Sequence, residues 1–110
     1  MYAAKNKVQL IGRLSAIPQI SISEENFKSV LLQLNTEETI RNKKGEREKQ
    51  ILTHRVICYN KLADIAEKWL HQNSEVALEG KLVNNTYTDS LGKKNYFTEV
   101  EAIDLLILSK

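Results

Sequence analysis

The spacing of apolar residues changes period once in this chain, and that single change limits the fold more than anything else in it. Along most of the length, apolar residues recur at every second position, the period of a half-buried strand. Residues 7–14, KVQLIGRL, put Val8, Leu10, Gly12 and Leu14 on one face and Lys7, Gln9, Ile11 and Arg13 on the other. Residues 29–36, SVLLQLNT, turn Val30, Leu32 and Leu34 inward, and residues 50–59 alternate again. Then, from Lys61 to His71, the apolar residues Leu62, Ile65, Ala66, Trp69 and Leu70 fall on one helical stripe. Asn60 is placed to cap that helix. Lys68 and His71 suit its C-terminal dipole end, and Asn73 suits a left-handed stop. Strands resume at 75–83, EVALEGKLV. A hairpin around SLGKKN then leads into YFTEVEAIDLLIL, one or two strands.

The remaining segments fit the same plan. Residues 17–23, IPQISIS, read as a short edge strand after Pro18, and SEENFK as a turn. Residues 37–49, EETIRNKKGEREK, are polar and centred on Gly45, a loop or an extended hairpin tip. Gly12 inside the first strand marks a bulge or a sharp bend. A chain of 110 residues forms one domain, residues 1–110. The order is three strands, one helix, then two or three strands. We expect an all-β fold, a small closed barrel. The five-stranded Greek-key barrel of the OB type, with one α-helix between strands 3 and 4, matches the count. The terminal run Leu105, Leu106, Ile107 and Leu108 exceeds one barrel wall, so part is expected in the core and part at a subunit interface.

Several function classes drop out. There is no glycine-rich phosphate loop, no HExxH and no paired CxxC, so no cofactor, metal or small-molecule substrate is expected. The one cysteine, Cys58, lies mid-strand and reads as a buried small hydrophobe. It cannot pair catalytically with His54, because strand residues four apart are separated by roughly 13 Å. No apolar run reaches the roughly 18–20 residues of a membrane span, and the N-terminus is not a signal peptide. A cytoplasmic, nucleoid-associated protein is the default expectation.

A binding role fares better. The segment HRVICYNK at 54–61 places Arg55, Ile57 and Tyr59 on one face and His54, Val56 and Cys58 on the other. An open barrel face holds single-stranded nucleic acid when basic groups track phosphates and aromatic faces stack bases. Arg41, Lys43, Lys44, Arg47 and Lys49 crowd residues 41–49 against Glu46 and Glu48. Lys7, Arg13, Arg55, Lys61 and Lys81 add charge on strands or strand ends, and Lys93 and Lys94 on the last hairpin. Tyr59, Tyr87, Tyr96 and Phe97 are the aromatic candidates at strand positions. The overall net charge of +2 permits such a partner without requiring it.

Three ordered stretches carry a resemblance: NKVQLIGRL at 6–14, HRVICYNKLADIAEKWL at 54–70 and GKLVNNTYTDSLGKKNYFTEV at 80–100. Together they resemble the bacterial single-stranded DNA-binding proteins of the OB fold, over nearly the whole chain and most weakly at 15–50. The resemblance implies stacking roles for Tyr59 and Tyr87, which stand at family aromatic positions. It implies phosphate contacts for Arg55 and Lys61, a basic role for Lys7 in the opening motif, and a place near subunit contacts for His54. It also implies a homo-oligomer, dimer or tetramer, acting in replication, recombination or repair. The departures are as informative. Thr53 stands where the family has tryptophan, Thr39 and Ile40 fill the loop where it often has another, and VNNT replaces a basic run after Leu82. Weaker binding than the family norm is expected, with more burden on the 41–49 tip. The sequence ends at AIDLLILSK without the linker and acidic tail typical of the family, as expected of a tail-less or trimmed core.

Two functions follow. One is a non-catalytic protein that coats single-stranded DNA. The other is an OB-fold accessory replication module that has lost most DNA affinity and binds a protein.

Overall fold

The computed structural model describes residues 5–110. Its strands are β1 (Val8–Leu14), β2 (Gln19–Ile22), β3 (Lys28–Arg41), β4 (Arg47–Tyr59), β5 (Glu75–Thr88) and β6 (Lys94–Ser109), with one helix, α1 (Asn60–Trp69), between β4 and β5. The sheet order is β1-β5-β6-β4-β3-β2, and a further β1–β3 pairing closes it on itself. β2 hangs on the outside edge of β3, wholly exposed, as expected of a short edge strand. The five remaining strands form the barrel. The helix therefore follows the third barrel strand, and the fourth strand in chain order.

Closure uses two unlike contacts. β4 and β6 run parallel at Val56–Val100 and Ile57–Glu101. β1 crosses from β5 onto β3 at Arg13–Asn35 and Leu14–Leu34. The crossing depends on Gly12, where any Cβ would run into the Asn35 carbonyl. This is the bend the sequence suggested.

The alternating pattern fills the inside. Leu14, Val30, Leu32, Leu34, Val56, Cys58, Val76, Leu78 and Val100 are buried together, and one end is sealed by Ala63 and Ala66 of α1 and by Leu70 just after it. Each fully buried aliphatic side chain stabilises the barrel by about 1.5–3 kcal/mol. Leu105 and Ile107 pack on this core, whereas Leu106 and Leu108 face out, so the terminal run divides by simple alternation.

Of the two readings of residues 37–49, the extended hairpin tip is the one observed: β3 and β4 pair without a break from Ser29–Tyr59 out to Arg41–Arg47. Its apolar residues Ile40, Ile51 and Leu52 are all exposed, so the outer pairs bury neither face. Two local expectations need correction. Asn60 does not cap α1 through its side chain. Tyr59 holds the cap position, no side-chain hydrogen bond is made there, and Asn60 has a left-handed φ of 55°. The helical stripe is also rotated: Ala63 is buried, whereas Trp69 is exposed, with Lys68 and Lys110 over its ring. The helix stops before His71, and Asn73 takes the left-handed conformation in the turn that follows.

The two long hairpins have the same tip. Asn42 and Asp89 each bond back to the fifth residue, Asn42 N to Glu46 O and Asp89 N to Lys93 O, both at 2.9 Å. The side-chain oxygen of each also accepts two backbone N–H bonds, from Lys44 and Glu46 in one tip and Leu91 and Lys93 in the other. Gly45 and Gly92 both sit at φ 80°, where L side chains are strained.

Candidate nucleic-acid interface

Strand register places one continuous outward face over β4, β6 and β5. Alternate residues of β4 (Thr53, Arg55, Ile57, Tyr59) lie beside Phe97, Glu99 and Glu101 of β6. These in turn lie beside Lys81, Val83, Asn85 and Tyr87 of β5. Period two thus gathers on one surface residues far apart in sequence. Arg55 and Tyr59 share this face, and His54 is on the other side of β4. There His54 Nε2 is 2.9 Å from Thr36 Oγ1, a contact within the chain.

The centre of the face is a polar knot on Glu99, a residue only 1% exposed. Arg55 Nε donates to Glu99 Oε2 at 3.0 Å, and Asn85 Nδ2 donates to Oε1 at 2.6 Å. The Tyr87 hydroxyl lies 3.0 Å from both carboxylate oxygens. The Arg55 guanidinium sits over the Phe97 ring, 4.2 Å from its centroid, and 5.6 Å from that of Tyr87. Tyr87 and Phe97 pack at 5.6 Å and 60°. Farther along β4, Tyr59 stacks on Phe27 from the β2–β3 turn, 5.4 Å apart and tilted by 30°. The face therefore offers two aromatic pairs with a planar cation between strands.

Its electrostatics are mixed. Burial first, then Glu101 and Glu99, raise the Tyr59 phenol above its ordinary 10. Burial and the hydrogen bond to Glu99 raise Tyr87 likewise. Positive charge collects instead at the margins. Lys43, Lys44 and Arg47 lie exposed at the β3–β4 tip, and Arg41 Nη1 reaches the Gly45 carbonyl at 3.3 Å. Lys61 is exposed beside Tyr59 at the start of α1, and Lys81 lies opposite Glu101. Lys7 and Arg13 are placed elsewhere. Lys7 pairs with Glu79 at 2.7 Å, and Arg13 with Glu75 at 3.9 Å and the Asn73 carbonyl at 3.0 Å, on the β1–β5 wall.

Sequence reasoning missed Glu99, Asn85 and Phe27 as members of this surface. Phe97, one of the aromatic candidates at strand positions, lies on it against Tyr87 and Arg55. Phe27 lies in a turn, where no periodicity points. Cys58 is fully buried and its thiol is pushed up to about 12 by desolvation, so it is no nucleophile at neutral pH. Among the described residues no cluster of His, Cys, Asp and Glu is arranged to hold a metal. No helix there is long and apolar enough to cross a membrane.

Comparison with known proteins converges on one family. The family model described as "Single-strand binding protein family" matches residues 5–108. Single-stranded DNA-binding protein 1 of Xylella fastidiosa is 35% identical over 109 residues, covering 98% of this chain and 80% of that protein. The Plasmodium falciparum SSB in its complex with ssDNA superposes with a TM-score of 0.81 at 26% identity, covering 94% of this chain and 95% of that one. A deletion mutant of the single-stranded DNA-binding protein from Thermus aquaticus shares the fold, with a TM-score of 0.81 at 23% identity over 94% of this chain and 50% of that one. With nearly the whole sequence matched, this chain belongs to the single-strand binding protein family.

Proposed function

We propose that this protein binds single-stranded DNA without catalysis and coats it as a homo-oligomer during replication, recombination or repair. The observation that carries the proposal is the outward face of β4, β6 and β5, where Tyr59, Tyr87 and Phe97 lie on one surface flanked by the basic β3–β4 tip. Stacking on aromatic faces suits any base, and each stacked base contributes about 1–3 kcal/mol. Arg41, Lys43, Lys44, Arg47, Lys61 and Lys81 supply phosphate contacts at the margins. Lys7 and Arg13, already ion-paired, contribute to the long-range field only. The work is binding, so the site needs no nucleophile, cofactor or small substrate. The reading places the protein in the cytoplasm, with the nucleoid.

An oligomer is supported by the opposite wall. Ile11, Ala77 and Leu106 line up across β1, β5 and β6, and Ile11 and Leu106 are more than 60% exposed. β1 meets β3 only at Arg13 and Leu14, which leaves its Val8–Gly12 edge open among the described residues. An apolar strip beside an open strand edge suits a second copy. His54, on the side of β4 away from the aromatic face, is assigned to subunit contact.

The test is a fluorescence and anisotropy titration with labelled oligo-dT of about 35 nucleotides, longer than the roughly 4–16 that one such barrel covers. Tight binding that weakens as salt rises from about 50 to about 200 mM is the expected result. No binding at low salt would defeat the proposal and turn attention to an accessory role with a protein partner.

A further inference from the structure

Among the described residues, Glu99 is the one charged side chain that is buried, and it lies under the surface just proposed for DNA. A carboxylate leaves water only with partners. Glu99 has three, Arg55, Asn85 and Tyr87, and all three point out of the same face. We infer that Glu99 is a positioning residue of this face: it neutralises Arg55 and locks Arg55 and Tyr87 into a preformed shelf over Phe97, so that Arg55 meets DNA as a stacking plane and not as a phosphate ligand. The inference rests on the proposed single-strand binding.

Charge decides the first half. If Arg55 swung out to a phosphate, the Glu99 carboxylate would stay buried without its cation, a larger penalty than an exposed phosphate contact returns. Asn85 and Tyr87 are neutral donors and cannot replace that charge. Geometry decides the second half. The guanidinium has the Phe97 ring beneath it at 4.2 Å and Glu99 at its Nε edge at 3.0 Å. Its side chain keeps 32% of its surface exposed. A base can lie on that surface, because a guanidinium plane stacks bases as an aromatic ring does. The Tyr87 hydroxyl, bound to both Glu99 oxygens, fixes the second plane of the shelf. Order present before binding need not be created during it, which favours affinity. Salt dependence is then set by the lysines and arginines of the margins, with Arg55 silent.

The test is the slope of log K against log salt for oligo-dT binding. Released from Glu99 by E99Q, Arg55 becomes a free cation, and the slope should steepen by about 0.7, the share of one single-strand phosphate. A merely structural role for Glu99 would change affinity and leave the slope where it was. E99Q protein that binds with the wild-type slope overturns the inference. Circular dichroism checks that the variant folds. If it does not, the charge-balanced R55M/E99M protein decides. The expected result is roughly tenfold weaker binding with the slope unchanged, because a stacking plane is lost and no net charge. A slope flattened by about 0.7 would show that Arg55 had been holding a phosphate, and would overturn the inference. Wild-type protein that fails to bind at all removes the single-strand reading itself, and this one with it; where the wild type binds, a slope left unmoved by E99Q removes this one alone.

Discussion

The β3–β4 and β5–β6 hairpins end in the same turn and present opposite surfaces. Asn42 and Asp89 make the same backbone and side-chain bonds, and Gly45 and Gly92 share φ 80°. Between those fixed points one tip carries Lys43 and Lys44, and the other Ser90 and a 91% exposed Leu91. The backbone of a tip is thus set by two residues, an Asx and a glycine, and the residues between are free to serve function. Charge was put on one hairpin and kept off the apex of the other.

That comparison can be broken at several points. The largest effect should come from removing the charge itself. K43A/K44A/R47A should flatten the salt slope of oligo-dT binding by about 2, at roughly 0.7 per charge. Leu91→Ala at the other apex should leave the slope alone. Equal responses at the two tips would end the functional distinction between them. The next effect concerns stability. Gly45→Ala and Gly92→Ala meet no neighbour within 4 Å, so the penalty is the left-handed backbone alone, about 1 kcal/mol each. Thermal melts should shift down by several degrees and by the same amount in both variants. A clear inequality would mean that the tips are less alike than their bonds suggest.

The smallest effect separates Asn42 from Asp89 by pH. Backbone N–H groups, Lys93 foremost, hold the Asp89 carboxyl below its ordinary 3.8. A carboxyl lowered on folding adds stability that is present above the unfolded value and lost as pH falls through the folded one. The β5–β6 tip should therefore loosen below about pH 3.8, seen as faster amide exchange at Leu91 and Lys93, whereas the Asn42 tip should not follow it. Asp89→Asn should abolish the difference. Persistence of acid loosening in that variant would trace it to another group.

Much of this architecture was legible in the sequence wherever one side of an element meets the core. Val30, Leu32, Leu34, Val56 and Cys58 announced their strands because water lies on one face and carbon on the other. The outer half of β3 was legible only as a loop or a hairpin tip, since every residue beyond Thr36 is exposed and the pairing there is held by backbone bonds and a turn. Ala63 was overlooked in the helix for a related reason. It is small enough to fit under the barrel end, and a bulky tryptophan outweighs it in any pattern of hydrophobicity. The site was half legible. Arg55, Tyr59 and Tyr87 could be placed on one face by alternation and by family likeness. Glu99 could not, because a carboxylate ordinarily signals solvent, and its burial depends on three donors from two other strands that no local pattern connects.

Cys58 gives the barrel a clock. Its thiol lies near the C-terminal end of β4, inside the barrel, with no exposed surface and with its proton held up to about 12. A thiol reagent can meet it only in molecules whose strands have momentarily parted. The labelling rate, divided by that of a free thiol, therefore measures how often the barrel opens. Because β4 also carries Arg55 and Tyr59 on its outer side, a ligand laid across that face should slow the clock. The protein thus carries its own report of breathing and occupancy in a single sulfur atom.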